Sequence, residues 1–328
     1  MTPQHIHFLL LPEFSVMGFV SAIEPLRVAN RFRPGSYRWH IVSVDGGPVT
    51  ASNGMSLNVG SALDAAREVS TLFVVAGFNP LDAYRAAIGA TLGRWQRQGA
   101  TLGAIDTGTY ILAEAGLLGE QQVTLHWEAR SAFQERYPTK KVSEELFEIG
   151  EHCITCAGGT SAIDMMLALI ARRHGRELAA QVSEQFVLGR IRSQSDHQRM
   201  QISARYGLHN AKTVQVVKAM EEHLEDPLSA DDLAAVIAVT RRQLERLFRT
   251  HLRDTPSHFY LCLRLERARQ LLQQTEMSII DVGVASGFAS SSHFSRAYRA
   301  HFGGSPKDER TRAVRPARAL RRGRRRAG

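Results

Sequence analysis

Asp106 sits where two sequence patterns meet. The segment TLGAIDTGTYILAEAGLL, residues 101–118, opens as a short apolar run and closes as a helix, with DTGT at the turn. A sharp strand-to-helix turn drives one side chain outward, and a helix N-terminus favours negative charge there. The Asp106 carboxylate then has three possible uses. It caps the helix through the Thr109 N–H, it holds a cation, or it attacks as a nucleophile with His126 as base. This segment alone leaves all three open. Similar turns carry Glu13 and Phe14 in PEFS (12–15) and Phe78 in GFNP (77–80), while Trp127 follows His126 in VTLHWEARSAF. Asp106, Thr107, His126 and Glu13 offer polar groups to an ammonium ion. Phe14, Phe78 and Trp127 offer ring faces, each worth about 1–2 kcal/mol to a desolvated cation. Each ring also has a plain reading as core.

A second set of reactive side chains is His152, Cys153 and Cys156, a C-x-x-C beside a histidine. Residues three apart on a strand point to opposite faces, so these thiols do not grip one metal ion. Structural cysteines are expected, with no metal and no cofactor. Arg172, Arg173 and Arg176 read as a solvated helix end that complements the dipole.

The elements that position Asp106 alternate. Strands are predicted at 5–11, 37–45, 71–77, 101–105 and 152–159, with helices at 21–32, 81–99, from 107, and at 160–175. Short β-rich runs alternating with helices argue for a parallel sheet covered on both faces. Ligands of such sheets bind beyond the carboxyl ends of the strands. The turns after the first, third and fourth strands therefore converge on one crevice if those strands are neighbours.

From about residue 193 the strand signals stop. Residues 193–212 read as a polar linker, 213–310 as short helices, and 311–328 as a disordered basic tail. The chain has 328 residues and a net charge of +9. Residues 1–211 balance 19 basic against 19 acidic side chains, and residues 212–328 hold 22 against 13. A neutral half joined to a basic half suggests that only the second meets a polyanion. No apolar run is long enough to span a membrane, no leader is evident, and three cysteines make no disulfide framework. A cytoplasmic location is expected.

The basic half repeats one pattern. In LSADDLAAVIAVTRRQLERLFRTHL (228–252), Ser229 or Asp231 caps a first helix and Thr240 a second. Leu244, Leu247 and Phe248 share one face of the second helix. Arg241, Arg242, Glu245, Arg246 and Arg249 take the others. In SIIDVGVASGFASSSHFSRAYRAHF (278–302), Phe294, Tyr298 and Phe302 form the inner face, and Ser291, Ser292, Ser295 and Arg296 point outward. The long helix predicted at 257–275 separates the units, so that they read major-groove segments roughly 34 Å apart.

This half resembles the AraC/XylS family of transcription regulators. The resemblance implies DNA reading by Thr240, Arg241, Arg242, Glu245 and Arg246, and by Ser291, Ser292, Ser295 and Arg296. The first half resembles the PfpI-like, class I glutamine-amidotransferase-type superfamily through AIDTGTYILAEAGLL, VTLHWEARSAF, CAGGTSAIDMMLALI and SAIEPLRVANR. Enzymes of that superfamily carry cysteine where this chain has Asp106, and an acidic residue where it has Gly18. The branch with aspartate at the turn resembles regulators that sense glycine betaine, carnitine or arginine.

The expected fold class is α/β, a flavodoxin-like parallel sheet sandwiched by helices, followed by an all-α double helix-turn-helix domain. The expected function is a non-enzymatic, sequence-specific regulator that senses an amine-bearing metabolite. Expected partners are promoter DNA through its major groove, a small-molecule effector, a second copy of the chain and RNA polymerase, with no membrane. The rival reading is a hydrolase that uses Asp106 with His126, fused to a DNA-targeting domain.

Overall fold

β-Branched and aromatic runs build the first half into a wound sheet. The computed structural model describes residues 2–151, 153–275 and 277–311. The chain divides into two compact units between Arg199 and Met200. In the first, β1 (Gln4–Leu10), α1 (Val16–Phe32), β2 (Tyr37–Ser43), β3 (Val49–Thr50), β4 (Ser56–Leu57), β5 (Ser61–Ala62), β6 (Thr71–Val75), α2 (Ala86–Arg97) and β7 (Thr101–Ile105) follow in order. Then come α3 (Thr109–Glu114), α4 (Arg130–Arg136), β8 (Phe147–Ile149), β9 (Cys153–Cys156), α5 (Ser161–His174) and α6 (Arg176–Gln185). The sheet order is β5-β2-β1-β6-β7-β9-β8. Its pairings are parallel except that of β8 with β9.

Alternation along each strand feeds two cores. Phe8, Leu10, Phe73 and Val75 pack with residues of α1 and α5. Leu9, Leu72 and Val74 pack with Leu92, Trp95 and Ile111 on the other face. Cys153 falls in the second core and Cys156 in the first, so the two thiols do lie on opposite faces of the sheet.

Sequence patterning missed β3, β4, β5 and β8, because two or three residues cannot display a period, and it also missed the helices α4 and α6. Helix α1 begins at Val16, earlier than predicted, with Ser15 accepting the Gly18 N–H as its cap. The apolar run around Phe19 hides the helical period there. Helix α2 begins later than predicted, since Pro80–Ala83 form a separate 3-10 turn.

One polar cluster inside the sheet has a pH consequence. Register places His7 opposite His40. Their rings stack at 4.5 Å, and His5 stacks on His40 at 5.4 Å. His7 is 1% exposed. Burial first, and then His40 and His5, pull it down to about 4 from an ordinary 6.5. Between these values the unfolded chain binds the proton that the folded chain refuses, so stability rises with pH. The full contribution is present above about 6.5 and is lost as pH falls toward 4. A His7→Phe variant should flatten this slope by up to about 3 kcal/mol, read from denaturation midpoints between about pH 4.5 and 7.5.

The second unit is helical: α7 (Ile202–Arg205), α8 (Ala211–Glu222), α9 (Ala230–Val236), α10 (Arg241–Leu252), α11 (Pro256–Gln274), α12 (Ile279–Ala285) and α13 (Ser291–Phe302). Residues 193–212, read as a linker, are structured. Within residues 193–199, Gln194 and Gln198 bond to the first unit. In the second, Tyr206 packs edge-on to Phe259 and Arg205 grips Glu221 with two 2.8 Å bonds. Polar composition conceals these few anchors. The tail residues 312–328 lie outside the described residues.

Each helix-turn-helix is fixed by local chemistry. Ser229 with Asp232, and Thr240 with Gln243, form capping boxes on α9 and α10. The first turn passes through Ala238 at φ 50°, and the second through Gly287 at φ 76°. A Cβ on Gly287 would lie 2.5 Å from the Leu224 carbonyl oxygen, so no larger residue fits there. Helix α11, about 28 Å long at 1.5 Å per residue, holds both pairs. Its Tyr260 hydroxyl donates to the His223 carbonyl and accepts from Leu228 N–H. Its Arg264 donates to the Ser286 carbonyl at 3.0 Å and lies 4.3 Å over the Phe288 ring.

Candidate functional site

Neighbouring strand ends gather the crevice. Strands β1, β6 and β7 are adjacent, and each is followed by a residue in left-handed conformation: Glu13 (φ 65°), Asn79 (φ 48°) and Asp106 (φ 62°). Non-glycine residues in this region store strain and cluster where function requires it. Phe14 bridges to Gly77, and the Thr107 hydroxyl donates to the Gly77 carbonyl, which ties the three turns together. From β9, Gly158 closes on Asp106. A Cβ on Gly158 would lie 2.8 Å from the Asp106 side chain, and its φ of 86° also favours glycine.

The Asp106 side chain accepts the Thr107 N–H, and α3 has no side-chain cap. The capping use through Thr109 is therefore not the one adopted. Thr109 instead donates its hydroxyl to the Thr124 carbonyl at 3.0 Å, while Thr124 N–H donates to the Thr155 hydroxyl at 2.8 Å. These two bonds hang the 123–129 loop between α3 and β9. The loop brings His126, Trp127 and Glu128. His126 Nδ1 lies 3.9 Å from Glu128, and its ring centroid lies 5.7 Å from that of Trp127.

The electrostatics are unbalanced. Burial raises Asp106 to about 7; the Thr107 N–H pulls it back and nearby Glu128 pushes it further up. Burial lowers His126, and Glu128 offsets this in part. The region thus holds two carboxylates and a histidine that resists protonation. Cys153 and Cys156 are both pushed up to about 12 by burial, so neither is an activated thiol. His152 lies outside the described residues. Among the described residues no group of His, Cys, Asp or Glu is arranged to hold a metal ion.

Two expected ligand residues are elsewhere. Phe14 is fully buried and packs edge-on to Phe19 at 6.1 Å, so it is core and not a cage wall. Its backbone pairing with Gly77 turns the ring inward. Phe78, at 59% exposure, stands on the surface and encloses nothing here. Glu13 and Trp127 are half-buried. Sequence reading passed over Glu128, although it lies in a quoted motif. It also missed Arg199, whose guanidinium lies 4.4 Å over the Trp127 ring. No local pattern pairs residues so far apart. A broad depression of about 1010 Å³, lined by His5, Arg38, Asp64, Arg67 and Arg94, opens at the opposite, amino ends of the strands. Its position at the strand starts, away from the carboxyl ends where ligands of such sheets bind, favours the crevice at Asp106 as the ligand site.

On α10, Leu244 and Phe248 are buried while Thr240, Arg241, Arg242, Glu245 and Arg246 are exposed. Arg241 lies 3.5 Å from Glu245, one turn on. On α13, Phe294 and Tyr298 are buried, Ser291, Ser292 and Arg296 are exposed, and Ser295 is half-buried. Ser290 caps this helix by accepting the His293 N–H. Residues 212–311 hold 14 basic and 13 acidic side chains, and eight arginines lie in residues 312–328. The helical domain is thus nearly neutral, with positive charge focused on α10.

Residues 4–172 match the DJ-1/PfpI family, and residues 233–312 match a helix-turn-helix domain. The chain is 60% identical to the HTH-type transcriptional regulator CdhR of Pseudomonas aeruginosa, over 96% of this chain and 94% of that one. It is 45% identical to the HTH-type transcriptional regulator GbdR of the same species, over 94% and 84%. The crystal structure of an AraC family transcriptional regulator from Pseudomonas putida superposes with a TM-score of 0.53 at 28% identity, covering 56% of this chain and all of that one.

Proposed function

Because the chain belongs to the AraC-family transcriptional regulators that carry a DJ-1/PfpI domain, we propose that its Asp106 crevice is the effector site and takes an ammonium-bearing metabolite. The protein is a DNA-binding transcription regulator with a sensing domain of non-catalytic design. The effector class is a quaternary amine, such as glycine betaine or carnitine, or a basic amino acid. One observation carries this reading. A carboxylate sits in a strained turn where burial penalises its charge. A bound cation relieves that penalty, and Trp127 offers it a ring face. Thr107, Glu13, His126 and Glu128 furnish the polar rim.

DNA is read by Thr240, Arg241, Arg242, Glu245 and Arg246 of the first unit and by Ser291, Ser292, Ser295 and Arg296 of the second. Dimerisation through the sensing domain and contact with RNA polymerase complete the proposal, with action at the nucleoid. A hydrolase built on Asp106 and His126 is disfavoured. A carboxylate is a poor nucleophile beside a thiolate, and His126 faces Glu128.

Calorimetric titration of the full chain with glycine betaine, carnitine, choline and arginine tests the effector class. One-site binding of at least one compound is expected. Absence of heat with all four rejects the class.

A further inference from the structure

The chain leaves the first unit along a strap, residues 190–199, anchored step by step. Within the strap Arg190 pairs with Asp196 through bonds of 2.9 and 3.0 Å, and the anchors to the rest of the first unit begin at Arg192. Arg192 holds buried Asp164 through its N–H at 2.8 Å, its Nε at 3.0 Å and its Nη2 at 2.7 Å. Gln194 donates to Glu148 at 2.7 Å. The last two anchors are different, because they land on the loop that carries His126 and Trp127. The Gln198 amide donates to the Thr124 hydroxyl at 2.9 Å and to the Leu125 carbonyl at 3.0 Å, and also to the Glu145 carbonyl at 2.9 Å, outside that loop. Arg199 stacks over Trp127. Met200, the next residue, begins the second unit.

We infer that Arg199 is an internal competitor for the effector: its guanidinium occupies the Trp127 face that an ammonium ligand needs, so that ligand entry displaces Arg199 and loosens the end of the strap where it enters the DNA-binding unit. The inference rests on the effector site proposed above. One ring face serves one cation at a time. Arg199 is tethered beside its ring by Gln198, so it competes at high effective concentration. The work of displacing it is subtracted from ligand affinity and appears as a change in the strap, which gives the ligand its differential affinity for two states. The Arg192–Asp164 anchor lies on α5, away from the loop, and stays in place. Only the last few residues of the strap are released.

The test compares full-length wild type with Arg199→Ala in titrations with glycine betaine, carnitine and choline, alongside hydrogen exchange over residues 193–199. Loss of a competing cation–π contact predicts about tenfold tighter binding of the ammonium compound by Arg199→Ala. In wild type, ligand should speed exchange in residues 197–199. In Arg199→Ala that exchange should already be fast without ligand. Adding Trp127→Leu should abolish the tenfold gain. If an ammonium compound binds both proteins equally and leaves exchange unchanged, the competitor role is overturned while the effector site stands. Weaker binding by Arg199→Ala also overturns it, because Arg199 would then be part of the ligand site. If none of the three binds either protein, the quaternary-amine class of effector and the competitor role fall together.

Discussion

Replacing Arg242 and Arg246 together by alanine should lower affinity for a cognate promoter fragment about a thousandfold, since each bidentate guanine contact is worth about 1–3 kcal/mol. Both side chains are exposed on α10, whose opposite face is fixed by buried Leu244 and Phe248. The Thr240–Gln243 capping box sets the start of that helix. Neither substitution touches the core or the caps, so the fold should survive, with an unchanged thermal midpoint as the control. Affinity for random duplex should fall no more than about tenfold, because nonspecific binding rests on phosphate contacts summed over many cations. The measurement is fluorescence anisotropy with specific and random duplexes over a range of salt. Collapse of the ratio between the two identifies base reading. An equal loss on both, with a shallower salt slope, would reassign these arginines to the phosphate backbone.

Asp106→Asn should weaken binding of an ammonium effector by at least about a hundredfold, the scale of deleting one partner from a desolvated charge pair. DNA binding without effector should be retained. The same carboxylate predicts a pH dependence with a definite sign. Burial pushes the Asp106 carboxyl up to about 7, so below that value protons compete with the cation. Affinity for choline, which has no group titrating in this range, should fall about tenfold per pH unit below about 7 and level off above it. Stability moves the other way. A carboxyl whose folded pKa exceeds its unfolded value stabilises the fold at low pH, and this contribution is lost as pH rises through the interval from 3.8 to about 7. The amide of the Asp106→Asn variant carries no charge to desolvate, so the variant should melt at or above the wild-type temperature at about pH 8. A variant that binds choline normally with a flat pH profile would remove Asp106 from the site.

Much of the architecture was legible in local pattern. The runs at Phe8, Phe73 and Leu102 announce strands buried on both faces, and spacing alone separates Leu244 and Phe248 from the arginines beside them. Capping residues such as Ser229 and Thr240 are visible because a cap is a contact between residues three apart. These signals are short-range, and short-range chemistry is what a sequence displays.

The crevice was legible only in part, for the same reason. The Asp106 turn could be read from its flanking strand and helix. Whether Phe14 faces a ligand or the core depends on its pairing with Gly77, a contact across the sheet. The short strands β3, β4 and β5 carried no period to detect. The polar segment 193–199 hid Gln198 and Arg199, whose partners Thr124, Leu125 and Trp127 lie far earlier in the chain.

By itself the sequence determined the two-part organisation, the wound sheet, the paired helix-turn-helix units and the carboxylate at the strand end, because each follows from periodicity, capping or composition within one element. Tertiary structure alone decided which aromatic rings stay accessible, how far burial raises the Asp106 carboxyl, and that Arg199 lies on Trp127. Those outcomes depend on desolvation and on contacts between distant segments, and both are properties of the packed chain, absent from any stretch of it.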